Sequence, residues 1–248
     1  VCTCTYCYES KKGESKDFLH FSELFGFIIV IYAQIKVQSN YKKYSGCASE
    51  KNLTGKEVAK MILDASDIKD VEIIEIDGEL TDYYDSKKKV LALSKENANS
   101  TSIASIGVAS HECGHAIQDK QGYTPNKIRN VIVHIYNISS KLLVPILIIG
   151  FMFDFLFLIP KIANIIIISG IIVYGLTMLF NLITLPVEFN ASNRAIKILE
   201  ESTILNKDEL VGAKAVLKSA ALTYVAGFIY SLLNFLRFVL VFARRNKD

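Results

Sequence analysis

Residues 162–186 form a run without a single charged side chain. Wound as a helix at about 1.5 Å per residue, such a run is about 37 Å long, against a hydrocarbon thickness of roughly 30 Å. A helix that is apolar all round needs lipid or protein on every side, so this run predicts a bilayer-crossing segment. Hydrophobic residues make up 51% of the 248, and they are gathered in blocks rather than spread evenly. Residues 142–160 read as a second span, although Asp154 lies within it. A carboxylate at mid-bilayer costs about 2.5–3.5 kcal/mol unless it is protonated, paired or turned toward protein. Residues 220–242 read as a further span, with Arg237 close enough to the Arg244-Arg245 end to snorkel. Near the start, about residues 18–36, the uncharged stretch is short, so it reads as a short span or an interfacial helix with His20 and Glu23 at headgroup level.

Between the first block and the second lies a polar stretch, 36–141, the size of a small water-exposed domain. Thr54-Gly55-Lys56-Glu57 is a capping box, and Val58, Met61, Ile62 and Ala65 follow at helical spacing. Residues 71–76 alternate well enough for a strand, Asp77-Gly78 marks a turn, and residues 89–93 read as a second strand. The edge of such a sheet can accept an extended peptide by strand addition, or the sheet can simply pack on a helix; both readings stand at this point. Gly122-Tyr123-Thr124-Pro125 breaks the chain before a helix over 126–141 that runs toward the membrane. There is no repeat and no low-complexity linker, so 18–248 reads as one integrated membrane domain. Residues 1–17, with Cys2, Cys4 and Cys7, read as an atypical tail, disorder being one description of it.

The chemistry is concentrated in Ser110-His111-Glu112-Cys113-Gly114-His115, on a proline-free helical pattern over 100–120 that opens with capping residues Ser100-Thr101-Ser102. On a helix His111 and His115 lie one turn apart, so both imidazoles reach one Zn²⁺, and Glu112 is placed to take a proton from the attacking water. The bland alternative, a core helix with two satisfied histidines, leaves Glu112 in need of a partner among apolar neighbours. A catalytic zinc needs a third protein ligand. Glu188, just beyond the uncharged run, is the obvious carboxylate; Ala191, Ser192 and Ala195 share its helical face over 187–200, and Gly107 and Gly114 thin the opposing surface. Ser192 is placed to hydrogen-bond a ligand. The plainer reading of Glu188 is a carboxylate favoured by a helix N-terminus, and Glu200, Glu201 and Asp119 stay as other ligand candidates. Tyr83, Tyr84, Tyr123 and Arg194 are candidates to stabilise an oxyanion. Cys113 points away from the histidine face, Cys2, Cys4 and Cys7 lack the second ligand pair of a zinc knuckle, and His20 and His134 lie off the motif.

Three stretches carry a resemblance to a known family: Thr81-Asp82-Tyr83-Tyr84-Asp85, residues 102–118 around the two histidines, and Leu185-Pro186-Val187-Glu188-Phe189-Asn190-Ala191-Ser192. They resemble the YugP-type neutral zinc metallopeptidases of bacterial membranes, over roughly residues 27–244. That family is similar in layout to the HtpX-like and CAAX-processing gluzincins, and the resemblance implies that Glu188 is the third zinc ligand. Those relatives usually carry an aspartate four residues after the glutamate, where this chain has Ser192.

The expected fold is therefore a mostly α membrane protein, with about three to four transmembrane helices and a small α+β zincin-like metalloprotease domain at the membrane surface. The expected activity is zinc-dependent endopeptidase action with one catalytic ion, on peptides or membrane-protein segments. The alternative from another class is a zinc-binding membrane scaffold without activity. Nothing in a net charge of +3 from scattered residues suggests nucleic acid, so no nucleic-acid partner is expected, and lysines near the spans suit anionic lipid. If all four blocks span, His111, His115 and Glu188 emerge on the side richer in Lys and Arg, so the site is expected on the cytoplasmic face of a multi-pass bacterial plasma-membrane protein. Oligomeric state is open at this level.

Overall fold

The computed structural model describes residues 3–133, 135–138, 141, 145 and 160–245. Helix α1 is Thr3–Ser45, α2 Gly55–Ala65, α3 Lys95–Asn99, α4 Ile103–Lys120, α6 Pro160–Glu201 and α7 Lys207–Arg245; residues 124–133 are helical and are called α5. The strands are β1 Glu72–Ile76, β2 Tyr83–Asp85 and β3 Val90–Ser94. Among the described residues, three helices are long and apolar enough to cross a membrane, at Phe21–Ser45, Ile168–Glu201 and Lys207–Leu240. The chain is thus a mostly α membrane protein carrying a small sheet. The expected span over 142–160 falls almost entirely outside the described residues, as does His134. Helix α1 starts at Thr3, so helix occupies most of the segment that the sequence suggests is an atypical tail.

The contacts divide the chain into two compact units. The first comprises Val1–Tyr32, Ile132–Leu182 and Val225–Asp248. Its helices meet through small residues and paired polar groups, as helices do where lipid removes any hydrophobic incentive to associate. Phe238 lies against Gly170 and stacks on Tyr174 with ring centroids 5.0 Å apart. Asn181 donates from Nδ2 to Ser231 Oγ at 3.1 Å and to the Gly227 carbonyl at 3.2 Å. Arg237 does not rely on snorkelling: its guanidinium is ion-paired with Glu23 of α1. A paired charge is less costly away from water than a lone one, which also accounts for Glu23 within an apolar helix.

The second unit comprises Ala33–Val131 and Ile183–Tyr224. The capping box at Thr54 forms as the sequence predicts, with Glu57 N donating to Thr54 Oγ1 and Thr54 N to Glu57 Oε2. The sheet has the order β1-β3-β2, with β1 parallel and β2 antiparallel to β3. Strand β2 is only three residues long and follows the turn at Gly78, too short to leave a periodic signal. Because β3 is central, Leu91, Ala92 and Leu93 are fully buried. Leu91 and Leu93 join Val58 and Ile62 of α2, Ile106 of α4 and Leu199 of α6 in one core, each large side chain contributing about 1.5–3 kcal/mol by leaving water. Asp82 explains one of the sequence stretches singled out above: it accepts from Ser94 N at 2.8 Å and from Asn97 Nδ2 at 2.7 Å. Asn97 Oδ1 in turn accepts from Tyr41 at 2.8 Å and from Ser105 at 3.0 Å. The start of α4 is thereby tied to the end of β3, and Ser102, accepting from Ser105 N, caps it.

Candidate metal centre

Helix α4 carries His111, Glu112 and His115, and α6 carries Glu188; all four side chains lie in the second unit. What lets the two helices meet so closely is Gly114. A Cβ built there would lie 2.6 Å from the Ala191 carbonyl oxygen and 3.1 Å from its carbon, so the backbone of α6 rests directly on α4. Gly107, expected to thin the same surface, faces Ala213 of α7 instead, at an ordinary 3.7 Å. It lies two helical turns from Gly114, enough to meet a different neighbour.

Glu188 is 1% exposed, and its Oε2 lies 3.2 Å from His111 Nε2 and 3.5 Å from His115 Nε2. The donor atoms of His111, His115 and Glu188 all lie within 4.8 Å of one another. Ligands at about 2.0–2.1 Å around a tetrahedral zinc stand about 3.3 Å apart, close to the two Glu188–imidazole distances, and the donor set of two imidazoles and a carboxylate suits that ion. The other nitrogens of both rings are held from behind. Ser192 Oγ lies 3.2 Å from His111 Nδ1, the position the sequence picks for a ligand-orienting hydroxyl. Gln118 Oε1 lies 3.1 Å from His115 Nδ1, while its Nε2 donates to the Val187 carbonyl at 2.8 Å and to Asn190 Oδ1 at 3.0 Å. A carbonyl can only accept, so the amide of Gln118 must present its oxygen to the imidazole; His115 then carries its proton on Nδ1 and keeps an unprotonated Nε2 for a metal.

The electrostatics favour a cation between these groups. Burial opposes protonation of His111, but its hydrogen bond to Glu188 and the charges of Glu112 and Glu188 outweigh it, so the imidazole sits above its ordinary value. Burial pushes the Glu112 carboxyl up, against the opposing pull of His111 and His115. Among the described residues Glu112 makes no hydrogen bond and no ion pair, although it is only 7% exposed. Arg129 of α5 reaches the far side of the cluster, its Nη2 3.2 Å from Glu188 Oε1 as an ion pair; the contact lacks hydrogen-bond geometry, and Oε1 is a buried atom without a hydrogen-bond partner. Tyr224 of α7 also faces Glu188, close enough for a side-chain hydrogen-bond interaction, and is within electrostatic reach of Arg129 and Glu112.

Other sequence candidates are engaged elsewhere. Asp119 accepts from Tyr84 at 2.8 Å and from Lys89 at 2.7 Å, Glu200 pairs with Lys214, and Glu201 pairs with Lys197. Arg194 donates to Asn190 Oδ1 and Gln121 Oε1, which places it behind Gln118 rather than before the histidines. Cys113 turns toward the Ala59 carbonyl, and burial pushes its thiol up, which leaves it unreactive. Gln118, Arg129 and Tyr224 carry no role in the sequence reading. Gln118 stands three residues after His115 on one helix, a signal that was there to be read; Arg129 and Tyr224 lie on other helices, and only the fold brings them in.

The family described as "Putative neutral zinc metallopeptidase" matches residues 20–243. The chain is similar to the "Putative membrane protease YugP" of Bacillus subtilis (strain 168), 40% identical over 211 residues that cover 85% of this chain and 90% of that protein. No solved structure matches.

Proposed function

This chain belongs to the neutral zinc metallopeptidase family, and on that premise we propose that it is a membrane-embedded endopeptidase with one catalytic zinc held by His111, His115 and Glu188. The observation that carries the reading is the convergence of His111 Nε2, His115 Nε2 and Glu188 Oε2, from two separate helices, beside a carboxylate with no structural partner. Zinc in such a site lowers the pKa of water toward about 7 and polarises a carbonyl. Glu112 accepts the proton of the attacking water and hands it to the leaving amine nitrogen. Burial raises its proton affinity, which suits a carboxylate that must take a proton and give it back. Ser192 and Gln118 hold the imidazoles so that neither has to reorganise during the reaction.

A scaffold that merely keeps a structural metal is disfavoured by the same carboxylate. Among the described residues the Glu112 side chain makes no hydrogen bond or ion pair that would give it a purely structural reason to stand beside the histidines. Our reading takes peptides or membrane-protein segments as substrates and sets the site on the cytoplasmic side of a bacterial plasma membrane, in keeping with the excess of Lys and Arg flanking the site segments.

The test uses the full-length, detergent-solubilised protein and Glu112→Gln. The variant should hold zinc as tightly as the parent, because all three donors are intact, and should lose peptide hydrolysis by a factor of ~10² or more. Equal hydrolysis by the two proteins would sink the assignment.

A further inference from the structure

The carboxylate of Glu188 has two oxygens with different surroundings. Oε2 faces both imidazole Nε2 atoms. Oε1 is buried, has no hydrogen-bond partner, and has the guanidinium of Arg129 3.2 Å away. The Glu188 side chain is 2% exposed and that of Arg129 28%, so a nearly dry anion is matched by a cation whose other edge still meets water. An unpaired carboxylate in that position would be expensive, and would turn toward another partner.

We infer that Arg129 is a positioning residue for Glu188: it holds Oε1, and so fixes the carboxylate with Oε2 turned toward His111 and His115. The inference rests on the reading of Glu188 as a zinc ligand. The arginine acts on the opposite oxygen from the histidines, so it does not compete for the metal's place. It leaves Glu188 with one oxygen to offer, already oriented toward the two imidazoles. Residues that orient a metal ligand in this way typically change affinity by about 10- to 100-fold when removed. Position 129 lies on α5, beyond the break at Gly122, where φ is +63°. That turn brings a third helix to the site, and Arg129 gives it a purpose there.

The experiment measures Zn²⁺ affinity of the full-length protein by chelator competition, in Arg129→Met, Arg129→Lys, Glu188→Gln and the double variant Glu188→Gln/Arg129→Met. Arg129→Met should bind zinc ~10- to 100-fold more weakly. Arg129→Lys, which keeps the charge but not the planar fork, should fall between it and the parent. In the Glu188→Gln background the Arg129→Met change should cost no further affinity, since an amide gives the guanidinium no charge to hold; a generic folding defect would cost the same in both backgrounds. Unchanged affinity in Arg129→Met, or full additivity in the double variant, overturns the inference. If Arg129→Met does not fold, the lysine variant decides: a several-fold loss supports the role and parental affinity overturns it. Glu188→Ala separates the two claims. Parental zinc affinity in that protein removes the ligand assignment itself, whereas weak zinc there with strong zinc in Arg129→Met removes only the role of Arg129.

Discussion

The Gln118 side chain stands between His115 and the backbone of α6: its Oε1 is 3.1 Å from His115 Nδ1 and its Nε2 donates to the Val187 carbonyl at 2.8 Å. One amide therefore couples the orientation of a histidine on α4 to the helix that carries Glu188. Gln118 is fully buried, so its substitution exposes both effects. Gln118→Leu should leave a buried carbonyl without a donor, destabilise the fold by about 1–3 kcal/mol, and weaken zinc by ~10-fold or more. Thermal unfolding and chelator competition check the two together; a variant with parental affinity would show that His115 needs no support.

The two glycines of α4 should respond in opposite ways. Gly114→Ala drives a methyl into the Ala191 backbone, which has no rotamer with which to yield; overpacking of this kind costs about 1–3 kcal/mol. It should also part Glu188 from the histidines, so zinc affinity falls with stability. Gly107→Ala meets Ala213 at ordinary contact distance, and alanine is a better helix former by about 1 kcal/mol. That variant should equal or exceed the parent in melting temperature. The reverse order of the two melts would refute the packing argument.

Zinc removal should lower stability by mass action. At free zinc 100 times Kd the folded state gains about 2.7 kcal/mol. Stripping with a chelator should depress the melting temperature of the parent and of Glu112→Gln alike, and should leave Glu188→Ala almost unmoved. Calorimetry on the three proteins, with and without chelator, checks this.

Acid should loosen the second unit through surface carboxylates. The Lys56 ammonium, with help from Asn99, holds the Glu75 carboxyl below its ordinary range. A group with a depressed folded value stabilises the fold above the unfolded value, near about 4.3 for Glu. That stability is lost as pH falls through the folded value. Lys56→Met should therefore flatten the acid side of the stability profile, lying slightly below the parent at neutral and alkaline pH and converging with it at low pH. The effect is small because both groups face water. A profile of unaltered slope would show that the pair contributes nothing.

Much of this architecture was legible from residues alone where a local pattern carried it. The uncharged run over 162–186 lies in a long helix, the Thr54 capping box forms, and both predicted strands exist within one residue or so of their expected bounds. The two histidines and Glu188 do meet in space. The sequence was silent where the determinant is a neighbour from elsewhere in the chain. Nothing near Arg237 announces Glu23 as its partner, and nothing near Arg129 announces Glu188. Gly107 and Gly114 look alike in one dimension and face different helices in three. Strand β2 owes its existence to pairing with β3 rather than to its own three residues.

The bare contact of Gly114 with the Ala191 carbonyl has a mechanical meaning as well. With no side chain between the helices, there is no rotamer change that would let α6 back away by a fraction of an ångström and release Glu188. Sliding by one residue, about 1.5 Å along the axis, would replace Ala191 with a larger neighbour, Asn190 or Ser192. The spacing between the backbones of α4 and α6 at this level is therefore fixed by main-chain contact, and any widening that parts Glu188 from the two histidines must first break that contact.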